Sequence, residues 1–155
     1  MKLPEWLYSR LAKDVPALHR RLWRITSGRF GWRLGEVEFC LLTTIGQRTG
    51  QPRTTPLVLI RTNTCLFLVA SNGGSDRYPN WYLNLVKHPI VTLEMKGARV
   101  SRYARVASES ERIALWPEAE RVYAGYGAYQ LKTDRVIPIV IIEEDPNPGS
   151  SERPR

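Results

Sequence analysis

The sequence is poor in the residues that bind metals and cross-link chains, with two cysteines and two histidines among 155 residues. Cys40 and Cys65 each sit inside an apolar run and form no Cys-x-x-Cys pair. They read as buried, reduced thiols of a cytoplasmic protein, not as a disulfide framework. His19 and His88 lie far apart, and nothing near them has metal-ligand spacing, so no metal site is expected. Long hydrophobic runs are missing too. No stretch approaches the roughly 18 apolar residues of a transmembrane helix, and the basic start lacks the apolar core of a signal peptide. Acidic residues are scarce: 15 Asp and Glu stand against 23 Lys and Arg, a net charge of +8. That imbalance favours an anionic partner, whether nucleic acid, a membrane surface or an acidic small molecule.

What is present suits one globular domain, with 43% hydrophobic and 25% charged residues. The chain is organised around Thr43-Thr44-Ile45-Gly46-Gln47-Arg48-Thr49-Gly50-Gln51-Pro52-Arg53-Thr54-Thr55-Pro56-Leu57. Apolar runs feed into and leave this stretch, and Gly46 and Gly50 bracket a tight turn, so it predicts a β-hairpin. Backbone N–H groups around the two glycines, with Arg48 and Arg53 converging on them, form what a phosphate or carboxylate needs. The alternative is a solvated basic hairpin.

Residues 1–35 predict a basic amphipathic helical segment in two pieces. Trp6, Leu7 and Leu11 form one apolar stripe, and Leu18, Leu22 and Ile25 form a second, opposite His19, Arg20, Arg21 and Arg24. Such a helix either lies on an anionic bilayer or packs on the domain with its basic face in water. Strands are expected over Val37–Thr44, Arg53–Ile60, Cys65–Ala70, Ile90–Met95, Arg99–Ala107 and Ile137–Glu143. A short helix from Pro79 stops at Pro89. Ser108-Glu109-Ser110-Glu111 is a capping box opening another helix, which Pro117 is expected to interrupt. The tail, residues 144–155, is rich in Pro, Gly, Ser and charge and reads as disordered. Six short strands with flanking helices predict a mainly β, antiparallel barrel over residues 36–143.

Three segments offer chemistry. The hairpin carries Arg48, Thr49 and Arg53. Ala70-Ser71-Asn72-Gly73-Gly74-Ser75 allows close backbone approach, and Asn80-Trp81-Tyr82-Leu83-Asn84 opens a helix whose first N–H groups suit an anion. Tyr123, Tyr126 and Tyr129 are spaced three apart, either as a substrate lid or as a packing ridge. Trp81 with Leu85 is more often a core pair than a platform for a ring.

These segments together resemble the deazaflavin-dependent nitroreductase and quinone reductase family of actinobacteria. The resemblance rests on Thr43-Thr44-x-Gly46-x-Arg48-Thr49-Gly50-x-Pro52-Arg53-x-x-Pro56-Leu57 and Ala70-Ser71. It continues through Pro79-x-Trp81-Tyr82-x-Asn84-Leu85, Pro89, the tyrosine trio, Thr133-Asp134-Arg135 and Ile137-Pro138. It implies a split β-barrel of the flavin-reductase type and coenzyme F420, a reduced 8-hydroxy-5-deazaflavin with a phosphate and an oligoglutamate tail. By similarity, Gln47, Arg48, Thr49, Arg53, Thr54, Thr55, Pro56, Leu57 and Val58 would hold the phosphate side. Val69, Ala70, Ser71, Asn72, Asn80, Trp81, Tyr82, Leu83, Asn84 and Tyr126 would line the deazaflavin and its linker. Arg48 and Asn72 stand where the best-known member has Lys, and Thr55 where it has Asn.

The implied activity is hydride transfer from the reduced coenzyme to a quinone, menaquinone by family, or to a nitroaromatic. Tyr126 and Ser71 are the candidates to hydrogen-bond the acceptor, with Tyr123 and Tyr129 as walls. No nucleic acid is expected, and the protein would be cytoplasmic, touching the inner face of the membrane if its first helix binds lipid. Competing readings are a non-enzymatic basic barrel binding single-stranded nucleic acid and an FMN-dependent reductase of the same barrel type.

Overall fold

The computed structural model describes residues 33–34 and 37–147. The expected N-terminal helices, with their membrane-facing side, and residues 148–155 of the tail lie outside the described residues.

A tight hairpin starts the fold. β2 (Val37–Ile45) and β3 (Pro52–Arg61) pair antiparallel from Glu38↔Leu59 to Ile45↔Pro52. Gly50 takes φ +66°, the left-handed conformation in which a Cβ is strained. β4 (Leu66–Val69), β5 (Ile90–Met95), β6 (Ala98–Val106) and β7 (Ile139–Glu144) complete the sheet in the order β2-β3-β4-β7-β6-β5. Pairing of β2 with β5, centred on Leu42↔Leu93, closes it into a six-stranded antiparallel barrel, as expected. Closure removes the unpaired strand edges that an open sheet would expose. The two-residue β1 (Arg33–Leu34) adds to β2, so the end of the expected helical segment belongs to the sheet. Glu144 likewise ends β7, and Asp145 accepts a hydrogen bond from Ser101, which makes residues 144–147 part of the body.

Alternation along the strands makes two cores. Cys40, Leu42, Leu59, Leu68, Leu93 and Val140 fill the barrel. Ile60, Phe67, Val69, Ile139 and Ile141 point outward and pack on α2 (Glu109–Val122) and α3 (Gly125–Gln130). The capping box is present: Ser108 Oγ accepts from Glu111 N, and Glu111 accepts from Ser108 N. Pro117 does not interrupt α2, contrary to expectation. The bond it fails to donate belongs to the carbonyl of Ile113, and Ile113 is 64% exposed, so water can satisfy that oxygen.

α1 (Asn80–Lys87) plugs one end of the barrel. Trp81, Asn84 and Leu85, at i, i+3 and i+4, form its buried face, and Trp81 and Leu85 join the barrel core. The helix stops at His88, whose backbone (φ −128°, ψ 85°) has left the helical region before Pro89.

Candidate active site

The plugged end of the barrel opens into a cleft of about 850 Å³. Gln47, Arg48, Thr49, Arg53, Thr54 and Thr55 line it from the hairpin, and Asn80, Trp81, Leu83 and Asn84 from α1. Thr44, Gly46 and Pro52 also line it. These three were missed, although Thr44 shares its strand face with Arg53 across the hairpin.

The hairpin loop consumes most of its own backbone donors. Gly46 N donates to Gln51 O, Gly50 N to Gly46 O, Gln51 N to Thr49 Oγ1, and Gln47 N to Asn84 Oδ1. Among the loop N–H groups only those of Arg48 and Thr49 are left for a ligand, fewer than the sequence suggested. The grip on an anion therefore falls to side chains. Arg48 and Arg53 are exposed, and their guanidinium groups make no ion pair or hydrogen bond among the described residues. No Asp or Glu lines the cleft. Lys87 adds a third cation at its edge, its Nζ donating to Gln47 O at 3.2 Å. Asn80 and Trp81 open α1 without a side-chain cap, so the positive end of that helix faces the cleft as well.

The run Arg53–Val58 is divided by the pleat. Leu57 pairs with Cys40 and packs on the barrel interior. Pro56 and Val58 take the opposite, outer face, with Thr54, whose Oγ1 lies 2.8 Å from Thr43 Oγ1. Val58 and Val69 pack against the cluster that contains Tyr126. Ala70 is fully buried in the barrel, its N–H bonded to Pro138 O and its carbonyl to Arg135. Leu57 and Ala70 therefore offer no side chain to a ligand on the outer face. Ser71 is 9% exposed and opens a short 3-10 turn (Asn72–Gly74). Asn72 adopts φ +47° and donates from Nδ2 to Arg77 O, so its amide closes the loop. Tyr82 stacks on Tyr78, with ring centroids 5.0 Å apart, and burial raises its hydroxyl pKa.

The tyrosine trio is one cluster drawn from two elements. Tyr123 caps the end of α2, while Tyr126 and Tyr129 lie on α3. The Tyr123 and Tyr129 hydroxyls are 3.0 Å apart, and both rings touch Tyr126, which is 5% exposed beneath them. Burial, then the neighbouring Tyr123 and Tyr129, raise the Tyr126 hydroxyl above the ordinary phenol range, so it stays protonated. No hydrogen bond of that hydroxyl is found among the described residues.

β3 joins the two halves. From Thr54 in the cleft to Val58 at the tyrosine cluster is four residues, about 13 Å of extended chain. An anion-gripping cleft and an aromatic wall at that spacing fit a ligand that is polyanionic at one end and a flat ring at the other. Among the described residues no cluster could hold a metal ion.

The comparisons agree with this geometry. Residues 17–144 match the family described as F420H(2)-dependent quinone reductase. The F420H(2)-dependent quinone reductase Rv1261c of Mycobacterium tuberculosis is 34% identical over 146 residues, covering 92% of this chain and 98% of that protein. A solved F420-H2 dependent reductase (FDR-A) superposes with a TM-score of 0.62 at 37% identity, covering 68% of this chain and 93% of its own. The heme storage protein HutZ of Vibrio cholerae, at 16% identity and a TM-score of 0.50 over 79% of this chain and 88% of its own, shares the fold alone. A family match across most of the chain, on a barrel with this cleft, places the protein: it belongs to the F420H(2)-dependent quinone reductase family, enzymes whose cofactor is coenzyme F420.

Proposed function

We propose that this protein passes a hydride from reduced coenzyme F420 to a quinone of the menaquinone type, with nitroaromatics as a second acceptor class. The observation that carries the reading is the pair of unpartnered guanidinium groups, Arg48 and Arg53, in a cleft free of carboxylates. They would hold the phosphate and glutamate carboxylates, helped by Thr49, the N–H groups of Arg48 and Thr49, and the start of α1. Pro56, Val58 and Val69 would bear on the ring system, with Ser71 at its edge.

When bound, the reduced deazaflavin supplies the hydride. The chain supplies position and surroundings. Tyr123 and Tyr129 wall an apolar acceptor against the ring. Tyr126 supports both from below, and its hydroxyl, held neutral by burial, is a donor to an acceptor oxygen if that oxygen reaches it. Ser71 Oγ is the second candidate donor, and solvent can supply the proton if neither does. A lipid-soluble quinone would also account for a basic N-terminal segment at the inner face of the membrane of a cytoplasmic enzyme.

Binding titrations with the deazaflavin, with FMN and with a single-stranded oligonucleotide test the reading, followed by turnover against quinones and nitroaromatics. Tight binding of the deazaflavin alone, with quinone turnover, is expected. Preference for FMN or for the oligonucleotide would replace it with the corresponding alternative.

A further inference from the structure

Ser71 and the tyrosine cluster come from distant parts of the chain, and one residue ties them together through its side chain and its backbone. Arg135 lies in the irregular stretch between α3 and β7. Its Nη2 donates to Ser71 O at 2.8 Å and Ala70 O at 3.2 Å, its Nη1 to Ala70 O at 3.3 Å, and its Nε to Ser75 O at 2.8 Å. The guanidinium carbon also sits 4.8 Å from the centroid of the Tyr78 ring, which stacks in turn on Tyr82 of α1. A planar fork with five donors can span three carbonyls and still offer its face to a ring, whereas an ammonium cannot.

The backbone of Arg135 is held from the other side. Its carbonyl accepts from Gln130 Nε2 at the end of α3, at 2.9 Å, and its N–H donates to Thr133 Oγ1. Thr133 Oγ1 donates in turn to Asp76 Oδ1 at 2.7 Å, in the same loop that Arg135 grips. Gly74 lies so close to α3 that a Cβ there would meet Tyr129 O at 2.8 Å. The guanidinium thus grips the Ser71–Tyr78 loop, which reaches α1 through Tyr78 and Tyr82, while the backbone of the same residue is held by α3.

We propose that Arg135 is a positioning residue, setting the separation between Ser71 and the tyrosine cluster into which the acceptor fits. This rests on the reading that the acceptor binds between them. Arg135 would act through the loop and not by touching coenzyme or acceptor, since four of its five N–H groups are taken up by Ala70, Ser71 and Ser75.

Amide hydrogen exchange and steady-state kinetics on Arg135→Ala and Arg135→Lys, beside Arg48→Ala, test it. In Arg135→Ala, exchange across residues 71–78 should rise about tenfold while the barrel strands keep their protection. Its kcat with a quinone should fall about tenfold and acceptor KM rise, while the Kd for the deazaflavin moves less than about threefold. Millimolar guanidinium should restore part of kcat. Arg135→Lys, which keeps the charge and most of the stem, should fall between, and serves if the alanine variant does not fold. Unchanged exchange in the loop overturns the proposal. So does a loosened loop with unchanged kcat and KM, or a loss of coenzyme affinity as large as that of Arg48→Ala. A wild-type protein that binds the deazaflavin yet reduces no quinone overturns the proposed function itself, and with it this role. A wild type that turns over beside an equally active Arg135→Ala overturns the role alone.

Discussion

Asn84 and Thr44, forty residues apart in sequence, are joined by a buried hydrogen bond of 3.1 Å from Nδ2 to Oγ1. The other end of the same amide accepts from Gln47 N at 3.0 Å. One side chain thereby ties the plug helix to the strand and to the anion-gripping loop. Asn84→Leu should destabilise the fold by about 1–3 kcal/mol, the cost of leaving a buried polar partner unsatisfied. It should also weaken coenzyme binding, because Gln47 and its loop lose their anchor. Urea denaturation and a binding titration check both effects. Loss of stability with unchanged affinity would detach the loop from the site.

Arg48→Ala and Arg53→Ala should each weaken binding of the deazaflavin by about 1.5–3 kcal/mol, the range for a hydrogen bond to a charged group. Affinity of the wild type should also fall with added salt, since an exposed pair of guanidinium groups is screened over about 10 Å at 0.1 M. Isothermal titration at two salt concentrations reads both. Full affinity in both variants would remove the cleft as the coenzyme site.

Tyr126→Phe keeps the buried ring and deletes only the hydroxyl. If that hydroxyl donates to the acceptor oxygen as charge develops, kcat should drop with little change in coenzyme affinity. About 2.7–4 kcal/mol is the upper range for such a donor. Wild-type turnover in Tyr126→Phe, with loss in Tyr126→Ala, would make the residue a support for Tyr123 and Tyr129.

Gly125→Ala probes the wall without deleting a hydroxyl. An added Cβ would collide with the far end of the Tyr123 ring, which must then move. Acceptor KM should rise while the coenzyme Kd stays put. An unchanged KM would place the acceptor away from Tyr123.

Cys40 is fully buried, and burial pushes its thiol from 9.0 up to about 12. The folded state thus holds its proton more tightly than the unfolded chain does. The associated stability is complete below pH 9.0 and is lost as pH rises toward about 12. Denaturation midpoints should fall across that window, with a shallower slope in Cys40→Ala. In native protein at neutral pH a thiol reagent should label the half-buried Cys65 and spare Cys40. Rapid labelling of both would contradict the buried assignment.

Local chemistry determined much of this protein from the sequence. The hairpin around Gly46 and Gly50, the capping box at Ser108 and the stop before Pro89 depend on neighbours a few residues away, so the chain spells them out. The basic loop called for an anionic partner, and the ordered family pattern implied which coenzyme that is. Tertiary structure decided which of those residues face the ligand. The pleat turned Leu57 inward and Val58 outward, and barrel closure buried Ala70. Folding of α1 onto the barrel brought Asn84 to take up the N–H of Gln47 that a ligand was expected to use. The grip of Arg135 on Ser71 spans 64 residues of sequence. No spacing rule encodes it, because that contact exists only once loop, helix and barrel have packed around Arg135.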